Sequence, residues 1–79
     1  MEIKVLGMGC ARCDQLVRDV FNSLAEMDVA ADVEKVEDIQ KIMSYKVLAT
    51  PALVINGRVK AAGRVLKPEE IKRLIREEL

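Results

Sequence analysis

The sequence predicts an α/β fold in which a mixed four-stranded sheet is flanked by helices, with the elements in the order β-α-β-α-β-β-α. Three observations predict it. Short apolar, partly β-branched runs alternate with segments whose apolar residues recur at helical spacing. The dipeptide Asn56-Gly57 stands between two such runs and marks a tight hairpin. Pro68-Glu69-Glu70 opens a last amphipathic segment, with a proline suited to the first helical turn and acids suited to its positive end.

Taken in order, residues 3–6 read as a short strand that Gly7-Met8-Gly9 interrupts. From Cys13 the apolar positions are Cys13, Leu16, Val17, Val20, Leu24 and Met27, with Arg12, Asp19, Asn22 and Glu26 opposite, so a helix is expected from about 11 to about 27. Within 29–36, Ala31, Val33 and, less cleanly, Lys35 alternate against Asp32 and Glu34, as in a half-buried strand. Asp38 caps a second helix running to Tyr45, with Ile39, Ile42 and Met43 as its apolar face. Thr50-Pro51 punctuates the chain. Residues 52–55 form an apolar strand, and residues 58–62 return after the hairpin until Gly63 breaks them. The final helix, 68–79, carries the stripe Ile71, Leu74, Ile75 and Leu79. The first two strands, joined through a helix, are expected to be parallel with a right-handed crossover.

Composition narrows the function. The 79 residues allow one small domain, 1–79. The chain is 51% hydrophobic with one Phe and one Tyr, so the core is aliphatic, and 33% charged residues supply the surface. Thirteen basic and thirteen acidic side chains cancel, which argues against nucleic acid as a partner. The absence of histidine excludes a Ser-His-Asp triad, a Cys-His pair and any His-based zinc site. No segment reads as membrane-spanning or as a signal peptide, so no membrane partner is expected and the expected location is the cytoplasm. Nothing forces association, and a monomer is expected.

The reactive groups are Cys10 and Cys13, in a single C-x-x-C. Two cysteines this close make a poor structural staple, because the loop they close is tiny. Cys10 sits at the N-terminus of the long helix, where unpaired N–H groups and the helix dipole favour a thiolate. Arg12 adds a positive field if its guanidinium turns inward, and Asp14 opposes it. Cys13, on the apolar stripe, is expected to be the more buried sulfur. That asymmetry suits dithiol–disulfide exchange, with Cys10 as nucleophile and Cys13 as resolving thiol. A structural zinc site would need four ligands, of which this chain offers two. Two thiolates, with Met8 nearby, suit Cu(I), so a soft-metal carrier is the alternative function. A redox-fold adaptor that docks a partner is a third.

Two families resemble this loop. Met8-x-Cys10-x-x-Cys13 after a first strand resembles the heavy-metal-associated domain of copper chaperones and metal-pumping ATPases. That family ends on a strand, and this chain is expected to end on a helix. The other resemblance covers nearly the whole chain. Gly7-Met8-Gly9-Cys10-Ala11-Arg12-Cys13, then Thr50-Pro51-Ala52-Leu53-Val54-Ile55-Asn56-Gly57, then Gly63-Arg64-Val65 before a closing helix, is similar to the small, glutaredoxin-sized thioredoxin-like proteins of archaea and bacteria.

This resemblance implies a thioredoxin fold and a protein-disulfide reductase without metal or organic cofactor. It implies protein disulfides as substrates and a thioredoxin-reductase-like protein as electron donor. Read from the residues alone, Pro51 also fits a trans proline opening a strand. The resemblance implies a cis Thr50-Pro51 bond facing the cysteine loop, with the Thr50 backbone pairing with an extended substrate. The substrate-binding set is then Thr50, Pro51, Met8, Ala11 and Arg12, with Met8 as an exposed apolar contact. The chain departs from the family in several places. Gly9 stands where a tryptophan precedes the first cysteine, and the buried acid of the first strand falls near Lys4. Water is then the default proton partner of Cys13. The Cys-Pro-Tyr-Cys and Gly-Gly-x-Asp motifs of glutaredoxins are absent, so glutathione is not the implied reductant. Tyr45 is expected to close the second helix and Arg64 to be a solvated loop residue. Glu69–Arg73 is expected as an attractive pair, Lys72–Arg76 as a repulsive one.

Overall fold

Residues 1–9, 11–64 and 66–79 are described by a computed structural model. The elements are β1 (Glu2–Leu6), α1 (Ala11–Met27), β2 (Asp32–Val36), α2 (Ile39–Ser44), β3 (Ala52–Ile55), β4 (Arg58–Ala62) and α3 (Pro68–Glu77). The strands form one sheet in the order β2-β1-β3-β4. β1 pairs parallel with β2, setting Ile3 opposite Val33 and Val5 opposite Lys35. On its other side β1 pairs antiparallel with β3, setting Lys4 opposite Val54 and Leu6 opposite Ala52.

Strand alternation divides the core between two faces. Ile3, Val5, Leu53 and Ile55 point to one face, where they pack with Leu16, Val20 and Leu24 of α1 and Ile71, Leu74 and Ile75 of α3. Leu6, Val36, Ala52 and Val54 point to the other, where they meet Ile42 of α2, with Tyr45 and Val47 against them. Every residue of β3 is buried, which explains its uninterrupted apolar sequence: an inner strand covered on both faces has no polar side to show. Each fully buried aliphatic side chain contributes about 1.5–3 kcal/mol relative to exposure.

The connections follow local chemistry. Asn56 and Gly57 take φ of 51° and 81°, the paired positive values of a two-residue primed hairpin. β4 carries an irregularity opposite Leu53 and Val54, so that Ala61 faces Leu53 and Val59 faces Val54, with Lys60 between. The Asp38 side chain accepts the Gln40 amide at 2.9 Å and caps α2, while Tyr45 closes it.

Several side chains depart from the sequence expectation. Of the α2 apolar face only Ile42 is buried; Ile39 and Met43 remain 54% and 66% exposed. Tyr45 and Val47, just after the 6-residue helix, pack against the buried cluster that Ile42 joins, and Ile39 and Met43 are left at its edge. Leu79 lies beyond the end of α3 and is exposed. Glu69 pairs with Lys72, not Arg73, and Arg73 pairs with Glu77 at 3.0 Å. Lys72 also reaches Glu26 of α1, so the expected repulsion on Arg76 is offset by two acids. Arg64 is not simply solvated: its Nη1 donates to Glu70 Oε2 at 2.7 Å.

Candidate functional site

The C-terminal end of β1 runs into Gly7, whose amide donates to the Val36 carbonyl at 3.0 Å and extends the β1–β2 pairing by one bond. Met8 follows, exposed, and Gly9 takes the left-handed φ of 54° before the cysteine motif. Cys10 lies outside the described residues, as does Val65 of the Gly63-Arg64-Val65 motif. Cys13 falls in the first turn of α1, is 0% exposed and is not a free thiol. It is buried because Gly7 has no side chain: a Cβ built there would overlap the Cys13 Sγ. That same point lies 4.0 Å from the Thr50 Cβ, so Gly7 stands between Cys13 and Thr50.

The Thr50–Pro51 peptide bond is cis. Pro51 is buried and Thr50 exposed. Among the described residues no backbone hydrogen bond reaches the Thr50 amide or carbonyl, whereas the Pro51 carbonyl accepts the Gly63 amide at 2.9 Å. Gly63, at φ 73°, packs so close to Ala49 that a Cβ there would stand 2.6 Å from the Ala49 Cβ. The loop after β4 is thereby held against the segment before β3.

A cavity opens on each side of this dipeptide. One, of about 260 Å³, is lined by Met8, Ile39, Met43, Leu48 and Thr50, among others, and among the described residues none that lines it is charged. The other, of about 60 Å³, is lined by Arg12, Leu16, Asp19, Pro51, Arg64 and Leu66 among others. The predicted residues are therefore brought together in two groups, Met8 with Thr50 and Arg12 with Pro51. Ala11 is exposed at the start of α1 and lines neither cavity.

Charges near the first turn of α1 are arranged across elements. Lys35, on the α1 side of β2, donates to the Asp14 carboxylate. That hydrogen bond, then the Lys35 charge, holds the Asp14 carboxyl below its ordinary range, and Arg18 adds to the effect. Asp14 is thus an acid with its own counter-ion. At the position where the family resemblance puts an acid, Lys4 is half-buried, and a side-chain hydrogen bond with Tyr45 pushes its ammonium pKa up. It keeps its proton and is no base for a thiol.

Two features escaped sequence reasoning. The exposed Ile39, Met43 and Leu48 beside Met8 gave no signal, because helical periodicity assigned the first two to the core. The Lys35–Asp14 pair had one: a lysine in the inward register of a half-buried strand needs an acid within reach.

The family model of the thioredoxin domain matches residues 1–76. A thioredoxin of Methanothermobacter thermautotrophicus is 33% identical over 75 residues, which cover 95% of this chain and 97% of that one. A thioredoxin of Methanocaldococcus jannaschii is 30% identical over 70 residues, covering 89% and 80%, and a second from that organism is 38% identical over 61 residues, covering 73% and 72%.

Proposed function

The chain belongs to the thioredoxin domain family, whose members act on protein disulfides, and from that premise we propose that it is a thiol–disulfide oxidoreductase working through a Cys10–Cys13 couple. The observation that carries the reading is the burial of Cys13 in the first turn of α1, against Gly7 and beside the cis Thr50–Pro51 bond. A resolving thiol needs to be shielded from everything except a sulfur already attached to its neighbour.

The Cys10 thiolate attacks one sulfur of a client disulfide. The client S–S bond breaks, a mixed disulfide forms, and the first client sulfur leaves as a thiolate that takes up a proton. Cys13, deprotonated through water, attacks the Cys10 sulfur and releases the second client thiolate. Two electrons and two protons have passed from the Cys10–Cys13 dithiol to the client. The extended client lies on the exposed Thr50, whose amide and carbonyl take no backbone hydrogen bond among the described residues and so suit strand-like pairing. Met8, Ala11, Arg12 and Pro51 border it. A thioredoxin-reductase-like protein restores the dithiol, and the setting is a reducing compartment, the cytoplasm. The whole chain, 1–79, acts as one monomeric domain. The final helix α3 supports exchange over the Cu(I)-carrier reading, whose family ends on a strand.

The test is dithiothreitol-driven reduction of insulin disulfides. Wild type is expected to catalyse it and Cys10→Ser to lose all catalysis. Cys13→Ser is expected to accumulate mixed disulfides with client proteins. Equal rates for wild type and Cys10→Ser would sink the reading.

A further inference from the structure

Arg12 is one of two cations that line the cavity on the Pro51 side. It stands between the two cysteines in sequence, is exposed, and shares a cavity with Pro51. It forms no ion pair among the described residues. Two of the acids around it are held by other cations. Asp14, in its own helical turn, is held by Lys35 from β2. Glu70, from α3, is held by Arg64, the second cation of the same cavity. Asp19, which lines the same cavity, takes only the neutral Gln15 side-chain amide at 2.8 Å and sits seven positions further along α1, about 10 Å down its axis. On the far side of Thr50 the groove lined by Met8 and Met43 has no charged residue among those described. On the Pro51 side a client lying over Thr50 and Pro51 thus meets a guanidinium with no ion-pair partner among the described residues, while the Glu37 carboxylate stands by Gly9 just past the end of β2, which flanks β1 on the side opposite β3.

We propose that Arg12 sets client choice: the site takes protein disulfides whose attacked cysteine has a carboxylate, Asp or Glu, beside it in the chain. The inference rests on the exchange activity proposed above and adds the substrate class. An unpaired guanidinium at the rim of a docking surface attracts a complementary charge, speeds encounter and discriminates against like charge, and salt weakens it. The same guanidinium would also favour the Cys10 thiolate, but that effect raises the rate with every client alike. Selectivity and thiol activation therefore separate in a ratio.

The experiment uses three short peptides, each a symmetric intermolecular disulfide, identical except that the residue beside the cysteine is Glu, Gln or Lys. Prereduced protein is mixed with each in single turnover at fixed pH. One peptide disulfide yields two peptide thiols as the protein passes from dithiol to disulfide. Wild type is expected to reduce the Glu peptide about threefold to fivefold faster than the Gln peptide, and the Lys peptide slowest, at low ionic strength. The ratio is expected to fall toward one in half-molar salt. Arg12→Gln is expected to bring it to about one, and Arg12→Lys to keep it above one. A wild-type ratio of one overturns the proposal, as does a ratio unchanged in Arg12→Gln. An equal slowing of all three peptides in Arg12→Gln with the ratio preserved assigns Arg12 to thiol activation and overturns it too. If wild type reduces no peptide and no insulin, the exchange activity itself fails and the selectivity falls with it.

Discussion

Gly7 and Cys13 share one volume: a Cβ on Gly7 would overlap the Cys13 Sγ and stand 3.0 Å from the Cys13 Cβ. The strand end and the first turn of α1 approach this closely only because residue 7 has no side chain. The Gly7 φ is not in the left-handed region, so the requirement is one of space and not of backbone conformation.

Gly7→Ala is therefore expected to destabilise the fold by overpacking, by about 1–3 kcal/mol. In a domain of this size that lowers Tm by roughly 4–8 °C per kcal/mol. The sulfur that must move is the one assigned to resolving, so the variant is also expected to accumulate mixed disulfides, the outcome expected for Cys13→Ser. Thermal unfolding and a non-reducing gel check the two arms. An unchanged Tm would mean that α1 shifts freely, against the packing described.

The hairpin ties the far end of the sheet. Asn56 Oδ1 accepts the Glu2 amide at 3.0 Å, and the Asn56 amide donates to the Glu2 carbonyl at 2.7 Å. Asn56→Ala keeps the second bond and loses the first, and gives up asparagine's tolerance of positive φ. Gly57→Ala puts a Cβ at φ 81° with nothing within 4 Å of it, so its penalty is conformational alone. Each is expected to lower stability by about 1–2 kcal/mol in urea unfolding, with exchange rates unchanged. Loss of exchange in either variant would connect the hairpin to the site, 

contrary to its place at the opposite end of β3.

Ser23 is a polar residue on the buried side of α1, and its hydroxyl finds no partner among the described residues. An unsatisfied buried hydroxyl carries a desolvation penalty that alanine does not, and alanine is the better helix former. Ser23→Ala is expected to raise stability by about 1 kcal/mol. Destabilisation in urea unfolding would show that the hydroxyl is bonded in solution.

The sequence made the element order and the sheet legible because each device there is local. Asn56-Gly57 sets the hairpin, Asp38 and Pro68 start helices, and 3.6-residue spacing defines the buried face of α1. What it left hidden is set by contacts between distant segments. Ile39 and Met43 carry helical periodicity yet stay exposed, because Tyr45 and Val47 pack against the sheet beside Ile42. The opposition between Arg12 and Asp14 could be written down from sequence. Its resolution needed Lys35, twenty-one residues away on β2, to be seen holding Asp14.

That pair gives the last prediction. Asp14, Glu70 and Glu78 all have carboxyl pKa values lowered in the folded protein, first by side-chain hydrogen bonds from Lys35, Arg64 and Lys60 respectively. A folded-state pKa below the unfolded value means that the native state prefers the ionised form. The stabilisation is present above the ordinary carboxylate pKa and is lost as pH falls through that value toward the folded one. Lys35 and Lys60 are raised by the same bonds, so their contribution is full below the ordinary lysine value and is lost as pH rises through the folded one. Stability is therefore expected to be flat through neutral pH, to decline below about pH 4, and to decline again at strongly alkaline pH. Asp14→Asn removes one depressed carboxylate and is expected to shallow the acid decline, and high salt to reduce the Asp14 share of it for the wild type because Asp14 is exposed. Urea unfolding from pH 7 to pH 3 measures both. An acid limb identical in wild type and Asp14→Asn would show that the Lys35 contact does not persist in solution, and would return Asp14 to the role of an uncompensated acid beside the cysteines.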